Sequence, residues 1–265
     1  MREFTTEHRL GDADTAVVFM SALFAGGWIW DHPYRSLERA GVPVLRTNEP
    51  ICGLDRRLAG SIERLGDALL DACDAAGADG QVVVCANSLG GLVAIDLAGR
   101  RPDRVRGIVV SGAPGLSADP DVGLSFDRRG SIRPTGEDFG RRMVAALFHE
   151  GCHFSAERMA EAGELLARPE SMVSMARSLK ATRAYRVPPA LDKVTCPALY
   201  VWGRHDRMTP VAPWAEALAG RDGHELLLVE DSGHIPMVER AEEYTAALTS
   251  FVAGTGAGTG AGTLA

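Results

Sequence analysis

Three polar side chains of this chain, Ser88, Asp206 and His234, are of the types that nucleophilic catalysis needs. A serine hydroxyl attacks a carbonyl carbon effectively only when a base removes its proton, and histidine is the common base near neutral pH. An acidic side chain beside the histidine holds the ring in the tautomer that accepts this proton. Each of the three residues lies in a polar stretch that follows an apolar run. The sequence therefore predicts a Ser-His-Asp triad with Ser88 as the nucleophile.

The stretch around Ser88 predicts how its hydroxyl is presented. Residues 82–85 are apolar and mostly β-branched, which is typical of a buried parallel strand. Ala86-Asn87-Ser88-Leu89-Gly90-Gly91 comes next, and the apolar period of residues 92–97 then predicts a helix. Small residues on both sides of Ser88 permit a strained turn beside the helix N-terminus. The alternative interpretation is an ordinary N-cap serine at the start of that helix.

The two other triad candidates also follow predicted strands. Residues 198–202 (ALYVW) and 225–229 (ELLLV) are apolar runs, and Asp206 and His234 lie in the loops after them. In parallel sheets, ligands bind beyond the carboxyl ends of the strands. The three side chains are therefore expected at one edge of a sheet.

The remaining periodicity predicts an α/β fold, with a mostly parallel, doubly wound central sheet and helices on both faces. The further predicted strands are residues 2–10 (at the sheet edge), 15–20, 42–46 and 105–110, and the further predicted helices are 33–40, 58–76 and 241–252. Residues 115–190 carry no strand-like run and predict a helical cap insertion. The core is thus expected at 1–114 and 191–253, with a flexible Gly/Thr/Ala tail at 254–265.

Composition restricts the partners and the compartment. The formal charge of −7 argues against nucleic acid or an anionic membrane as a partner. The five cysteines have no paired spacing, which indicates buried thiols in a reducing compartment. No signal peptide and no membrane-spanning run are visible, so we expect a cytoplasmic monomer or homodimer that acts on a small molecule.

Three motifs in this order resemble those of the α/β-hydrolase superfamily over roughly residues 2–252. The stretch 86–91 is similar to the nucleophile elbow of its small esterases, thioesterases and carbon–carbon hydrolases. Residues 202–210, WGRHDRMTP, resemble the acid loop W-G-x-x-D-x-x-x-P, and residues 233–239, GHIPMVE, resemble the histidine loop G-H-x-P-x-x-E. The resemblance implies a triad of Ser88, Asp206 and His234 without a cofactor or metal.

The same resemblance implies an oxyanion hole made by the backbone amides of Leu23 and Leu89. Family members commonly have His-Gly after the first core strand, whereas this chain has Ser21-Ala22. Glycine is usual where the backbone turns unusually or approaches a ligand, so alanine leaves the loop conformation in question. The alternative is that residues 21–30 are only a packed loop with core tryptophans.

Other residues offer competing chemistry. His149-Glu150-Gly151-Cys152-His153 fits H-E-x-x-H, a zinc pattern that requires a continuous helix, which Gly151 disfavours. We expect a helix end there instead, with one or both histidines at the pocket. Asp231 is the alternative acid for His234. The candidate substrate-binding residues are Phe24, Trp28, Asn87, Met143, His149 and Tyr185. Arginines of the insertion, which could recognise a carboxylate, are Arg128, Arg129, Arg133, Arg141 and Arg142.

These observations predict a serine hydrolase that cleaves an ester, thioester or lactone of a small to medium, largely apolar substrate. Carbon–carbon bond hydrolysis of ring-fission diketones is the nearest alternative, because Asn-Ser-Leu-Gly-Gly also resembles the elbow of such enzymes. A lyase or cyclase that uses the same pocket is a further alternative. A catalytically inactive ligand-binding homologue is the last, since a binding protein needs no complete triad.

Overall fold

A computed structural model describes residues 3–11, 14–116 and 146–257 of the chain. Its centre is a seven-stranded sheet with the order β1-β3-β2-β4-β5-β6-β7. Strand β1 pairs antiparallel with β3, and every other pair is parallel. The strands are β1 (Thr6–Arg9), β2 (Thr15–Met20), β3 (Val44–Thr47), β4 (Gln81–Asn87), β5 (Val105–Ser111), β6 (Ala198–Gly203) and β7 (His224–Val229). The predicted fold class is confirmed.

Helices cover the sheet on both faces. They are α1 (Asp31–Arg39), α2 (Ile62–Ala75), α3 (Leu89–Arg100), α4 (Ala156–Leu166), α5 (Pro169–Ala184), α6 (Val187–Leu191), α7 (Ala212–Leu218), α8 (Pro236–Glu239) and α9 (Ala241–Thr255). Short 3-10 turns lie at Gly27–Trp30 and Ile51–Gly53. No helix in the described part of the chain is long and apolar enough to cross a membrane.

Several helix boundaries differ from the sequence prediction, and two of these differences have a clear cause. Helix α2 begins at Ile62 and not at residue 58, because the Ser61 hydroxyl accepts a hydrogen bond from Arg64 N and caps the helix. The sequence prediction starts this helix one turn too early, because the apolar periodicity continues before Ser61. Helix α9 continues to Thr255 and ends at Gly256, which has a left-handed conformation (φ 73°).

The alternation of side chains along the strands divides the core into two layers. Val18, Met20 and Val84 pack on one face of the sheet with the helices α2 and α3. Val17 and Phe19 pack on the other face with α1 and α9. All five side chains are fully buried, as expected for parallel strands with helices on both sides.

The described part of the predicted insertion is helical and packs on the core. Helix α5 lies against the segment after β3, where Ser174 Oγ donates to Leu54 O at 2.9 Å and Ser178 Oγ donates to Ala59 O at 2.8 Å. Both hydroxyls are buried. This face of the sheet domain is therefore joined to the insertion by specific hydrogen bonds as well as by apolar contacts.

Candidate active site

Ser88 occupies a strained turn between β4 and α3. Its backbone has φ 57° and ψ −127°, and it is the one non-glycine residue with positive φ in the described ranges. Such a conformation costs of the order of 1–3 kcal/mol and persists where the surrounding structure enforces it. Ser88 N donates to Ser111 O on the neighbouring strand at 2.8 Å. The side chain makes no capping hydrogen bond, so the N-cap interpretation does not describe its hydroxyl.

Asp206 and His234 form a buried hydrogen-bonded pair. His234 Nδ1 lies 2.9 Å from Asp206 Oδ2, and both side chains are at most 3% exposed. Asp206 Oδ1 accepts hydrogen bonds from Met208 N and Thr209 N, both at 2.8 Å, while the Thr209 hydroxyl donates to Oδ2 at 2.7 Å. A carboxylate held by so many donors has a fixed orientation. His234 therefore presents Nε2 away from this pair.

The histidine loop is held against the ends of β4 and β5. The side-chain amide of Asn87, which is 1% exposed, donates to His234 O at 3.0 Å and to Ser111 O at 3.2 Å. Gly112 has φ 57°, and a Cβ there would lie 2.7 Å from two atoms of the His234 ring. A side chain at position 112 would thus displace the imidazole. Asn87, a candidate substrate-binding residue, thus links the ends of β4 and β5 to the histidine loop.

The hydrogen bond from Asn87 to His234 O holds the histidine loop next to the residue that precedes Ser88. The ring of His234 has its polar contacts with Asp206 and Thr209, and no hydrogen bond to Ser88 Oγ is present among the described residues. Hydrogen bonds of this kind are often long in ligand-free enzymes and tighten when substrate binds. Ser88 itself is half-buried.

The backbone of the loop after β2 accommodates Ser21-Ala22 without a positive φ at either residue. Ala22 does not have a positive φ, so alanine is compatible with the backbone at this position. The buried Ser21 hydroxyl donates to Thr47 O at 2.9 Å, and Ser21 N donates to Thr47 Oγ1 at 2.9 Å. Side-chain hydrogen bonds between the ends of β2 and β3 thus stabilise this loop.

The two predicted oxyanion donors lie on adjoining segments. A Cβ at Gly90, one residue after Leu89, would lie 3.3 Å from Ser21 O, which shows how closely the loop and α3 approach. Neither Leu23 N nor Leu89 N has a hydrogen-bond acceptor in the described ranges, whereas the carbonyls of Ala22 and Leu23 accept from Ile51 N and Cys52 N. Both amides therefore lack an acceptor, and the loop that carries Leu23 adjoins α3 at Ser21.

The aromatic residues of the loop after β2 have different environments. Trp30 is fully buried, and its indole N–H donates to Met20 O at 2.9 Å. Trp28 is half-buried and packs edge-on against Phe154 of the insertion at 4.7 Å between ring centroids, with the Arg158 guanidinium over its ring. Phe24 is half-buried against the core layer that contains Met20. Trp28 thus contacts the insertion, while Trp30 belongs to the core.

Tyr185 lies in a different part of the molecule from the elbow. Its hydroxyl donates to Asp96 Oδ1 at 3.4 Å, and Asp96 is eight residues, or about 12 Å along the axis, beyond Ser88 in α3. Both residues line a cavity of about 620 Å³ between α2, α3 and α5. Burial raises the pKa of the Asp96 carboxyl, which also pairs with Arg100. The structure therefore does not bring Tyr185 to Ser88.

The H-E-x-x-H stretch does not form the zinc site that its letters suggest. Residues 149–153 are irregular, and Gly151 has φ 67°, so the two histidines do not share a helix face. The His149 ring stacks on His205 with 3.8 Å between centroids, whereas His153 Nε2 lies 3.1 Å from Glu150 O. Met143 and the five insertion arginines lie outside the described residues.

Thr209 and Gly112, which position the site, were missed at the sequence level, whereas Glu239 was recognised as part of the histidine-loop motif and only its contact with His149 was not foreseen. Thr209 fixes the acid, Gly112 makes room for the histidine ring, and Glu239 accepts hydrogen bonds from Gly233 N at 2.6 Å and His149 N at 2.7 Å. A signal existed for Thr209, because an aspartate followed by a polar residue three positions later often forms a local turn of this kind. The roles of Gly112 and Glu239 depend on contacts distant in sequence.

Comparison with known proteins agrees with the observed architecture. A family model described as the alpha/beta hydrolase family matches residues 17–247. The enol-lactonase of Burkholderia xenovorans LB400 superposes with a TM-score of 0.73, covering 94% of this chain and 96% of that one at 18% sequence identity.

Two relatives indicate the chemistry found among similar sequences. The chain is 28% identical over 257 residues to a 2-hydroxy-6-oxononadienedioate/2-hydroxy-6-oxononatrienedioate hydrolase of Klebsiella pneumoniae, which covers 92% of this chain and 88% of the relative. It is 29% identical over 174 residues to a pimeloyl-(acyl-carrier protein) methyl ester esterase of Neisseria meningitidis, which covers 63% of this chain and 67% of the relative. Both relatives are hydrolases by name.

Proposed function

The chain belongs to the alpha/beta hydrolase family, and we propose that it is a serine hydrolase that cleaves an ester, thioester or lactone of a small to medium, largely apolar substrate. The observation that carries this proposal is the buried Asp206–His234 pair beside a strained serine turn. The relatives named as hydrolases support hydrolase activity in general. The more specific chemistry is inferred from the arrangement of this chain's own residues.

In the proposed reaction His234 is the general base. Asp206 accepts the hydrogen bond from Nδ1–H, which leaves Nε2 unprotonated and able to remove the proton of Ser88. Ser88 then attacks the carbonyl carbon and forms a tetrahedral intermediate. Protonated His234 gives its proton to the leaving group, and the ester bond breaks to give an acyl-enzyme.

The negative charge on the tetrahedral intermediate is stabilised by the amides of Leu23 and Leu89. Both N–H groups lack an acceptor in the described structure, and Leu89 begins helix α3, whose N-terminus favours a negative charge. One such donor is typically worth about 10²–10³ in rate. Water activated by His234 then hydrolyses the acyl-enzyme and releases Ser88. Apart from the substrate and this water, each step uses groups of this chain.

A second candidate function is the hydrolysis of a carbon–carbon bond in a ring-fission diketone. The Klebsiella relative, whose name states a 2-hydroxy-6-oxo dienedioate hydrolase, matches over 92% of this chain. The same serine, histidine and amide groups would serve this reaction. The leaving group is then a carbon atom, which must be protonated as the bond breaks.

The experiment that tests the proposal is labelling with a fluorophosphonate followed by intact mass measurement. We expect a single adduct on the folded protein and none on Ser88→Ala, which keeps the neighbouring turn residues. A panel of aryl esters, acyl thioesters, lactones and a ring-fission diketone then separates the two candidate functions. Turnover of the diketone alone would replace the first candidate with the second. Absence of both adduct and turnover in folded protein would refute the serine hydrolase.

A further inference from the structure

Three side chains from three separate segments meet beside the loops that carry Asp206 and His234. His149 comes from the insertion, His205 from the loop after β6 and Asp231 from the loop after β7. Their potential ligand atoms all lie within 4.8 Å of one another. His205 and Asp231 are exposed, while His149 is half-buried. We refer to these three residues as the His149 cluster.

The rings of the two histidines lie face to face. They stack with 3.8 Å between centroids and 12° between planes. His149 Nδ1 is buried and has no hydrogen-bond partner, and buried polar atoms without partners are rare enough to require an explanation. At the other ring nitrogen, Nε2, the nearest acid is Glu150 Oε1 at 3.9 Å. His149 Nδ1 therefore has no protein hydrogen bond to lose when a ligand binds.

Two carboxylates lie beside the histidines, and one of them already has a cationic partner. Asp231 Oδ2 lies 3.1 Å from the Arg240 guanidinium. The other carboxylate oxygen, Oδ1, is not the atom of this ion pair. Glu150, whose side chain is 87% exposed, brings another carboxylate to His149. Two imidazoles and one or two carboxylates form the donor set that suits zinc and neighbouring divalent transition metals, and oxygen-seeking ions such as magnesium much less.

The distances are compatible with such an ion once the two rings turn out of their stack, so that their in-plane nitrogen lone pairs converge. Tetrahedral zinc with bonds of about 2.0–2.2 Å places its ligand atoms about 3.3 Å apart. The ligand atoms must therefore approach one another by roughly 1.5 Å at most from their separations of up to 4.8 Å. His205 and Asp231 are exposed side chains and can make this movement.

We propose that His149, His205 and Asp231 form a binding site for a divalent transition metal ion, with zinc as the best-fitting ion. The backbone around each ligand is tied to the candidate active site. His205 precedes Asp206 and donates its N–H to Ser232 O at 2.9 Å. His149 N donates to Glu239 Oε1, and His234 N donates to Leu147 O at 2.8 Å. The bound ion thus cross-links the insertion to the loops that carry the acid and the base.

The site differs from the H-E-x-x-H pattern in its ligands, because it uses His149 without His153. His153 is exposed, and its ring contacts Glu150 O instead of the cluster. The proposal is also independent of the proposed hydrolase reaction, since metal binding is measured without substrate. The test therefore compares variants of the cluster with a variant of His153, and it needs no substrate.

The test is calorimetric titration of chelator-treated, untagged full-length protein with zinc chloride, together with the visible spectrum of the cobalt(II) form. We expect one zinc ion per chain, a higher thermal midpoint with zinc, and cobalt bands of a four-coordinate nitrogen and oxygen site. His205→Ala and Asp231→Asn should each weaken zinc binding by about 10–100-fold or more. Both positions are exposed, so these variants are expected to fold.

Two matched controls make the result decisive. His153→Ala removes the other histidine of the H-E-x-x-H stretch, and Cys152→Ser removes an exposed thiol that could itself bind zinc. Both should retain the affinity and the cobalt spectrum. The proposal is overturned if the wild type binds no zinc up to millimolar concentration. It is also overturned if His205→Ala binds as tightly as the wild type, or if either control loses binding to the same extent as His205→Ala.

Discussion

Replacing Asp206 with asparagine exchanges one carboxylate oxygen for an NH₂ group and changes little in shape. At present Oδ1 accepts from two backbone N–H groups, and Oδ2 accepts from the Thr209 hydroxyl and from His234 Nδ1. If the asparagine oxygen keeps the two backbone donors, its NH₂ faces the histidine. His234 must then accept at Nδ1 and carry its proton on Nε2, where it cannot take the proton of Ser88.

The structure also gives the size of the effect. The active tautomer requires the amide to flip, which leaves the N–H groups of Met208 and Thr209 without an acceptor. An unsatisfied buried donor costs about 1–3 kcal/mol, so the flip costs about 2–6 kcal/mol. At 1.36 kcal/mol for each tenfold change, the predicted fall in kcat is between about 30-fold and 10⁴-fold. KM should change little, because the substrate does not contact Asp206.

The assay is steady-state hydrolysis of the best ester or diketone of the substrate panel, with circular dichroism and thermal melting to confirm folding. Asp222→Asn is the matched control, because Asp222 is exposed and has no ion pair among the described residues. It should keep full activity. A folded Asp206→Asn enzyme that retains kcat within about threefold, well below the expected effect, would refute the role of Asp206. Simultaneous loss of activity in Asp231→Asn would transfer the role to the alternative acid.

Three further predictions concern packing, thiols and pH. Gly112→Ala should lower activity far more than Gly41→Ala in a kinetic assay, because both have positive φ but only at position 112 would the new Cβ meet the His234 ring. In native protein one thiol should react quickly with Ellman's reagent, and Cys152→Ser should remove this phase, since burial shields three of the other four cysteines fully and Cys196 partly, and raises the pKa values of all four. Burial lowers the pKa of His224 in the folded protein below its unfolded-state pKa of about 6.5. The folded state is therefore favoured at pH values above the unfolded-state pKa. This contribution to stability is lost as the pH falls through the lower folded-state pKa. His224→Asn should therefore flatten the fall of the urea midpoint below about pH 6.5.

The sheet was predictable because its signals are local. Buried parallel strands form short apolar runs, and the turn residues that follow β4, β6 and β7 identify the edge where chemistry is placed. Ser88, Asp206 and His234 could therefore be assigned to strand ends without any long-range information. The start of α2 was wrong by one turn, because the hydrophobic period continues across the capping residue Ser61.

The supporting contacts of the site could not be read from local patterns. The absence of glycine at position 22 raised doubt about the oxyanion loop, yet Ala22 has an ordinary backbone and Ser21 is bonded to Thr47. That bond depends on the register between β2 and β3, which the sequence does not state. The same is true of His149, whose neighbour His205 is distant in sequence and whose H-E-x-x-H letters indicated a different partner.

The hydrogen bond between Asn87 and His234 joins residues that are 147 positions apart, and this separation has a consequence for folding. Closing so long a segment is entropically unfavourable until the intervening strands have paired. The strained turn at Ser88 likewise needs its surroundings in place. We expect refolding chains to recover their far-UV circular dichroism before Ser88 becomes reactive to a fluorophosphonate. A partly folded chain is then chemically inert, and reactivity of the serine reports the last stage of assembly.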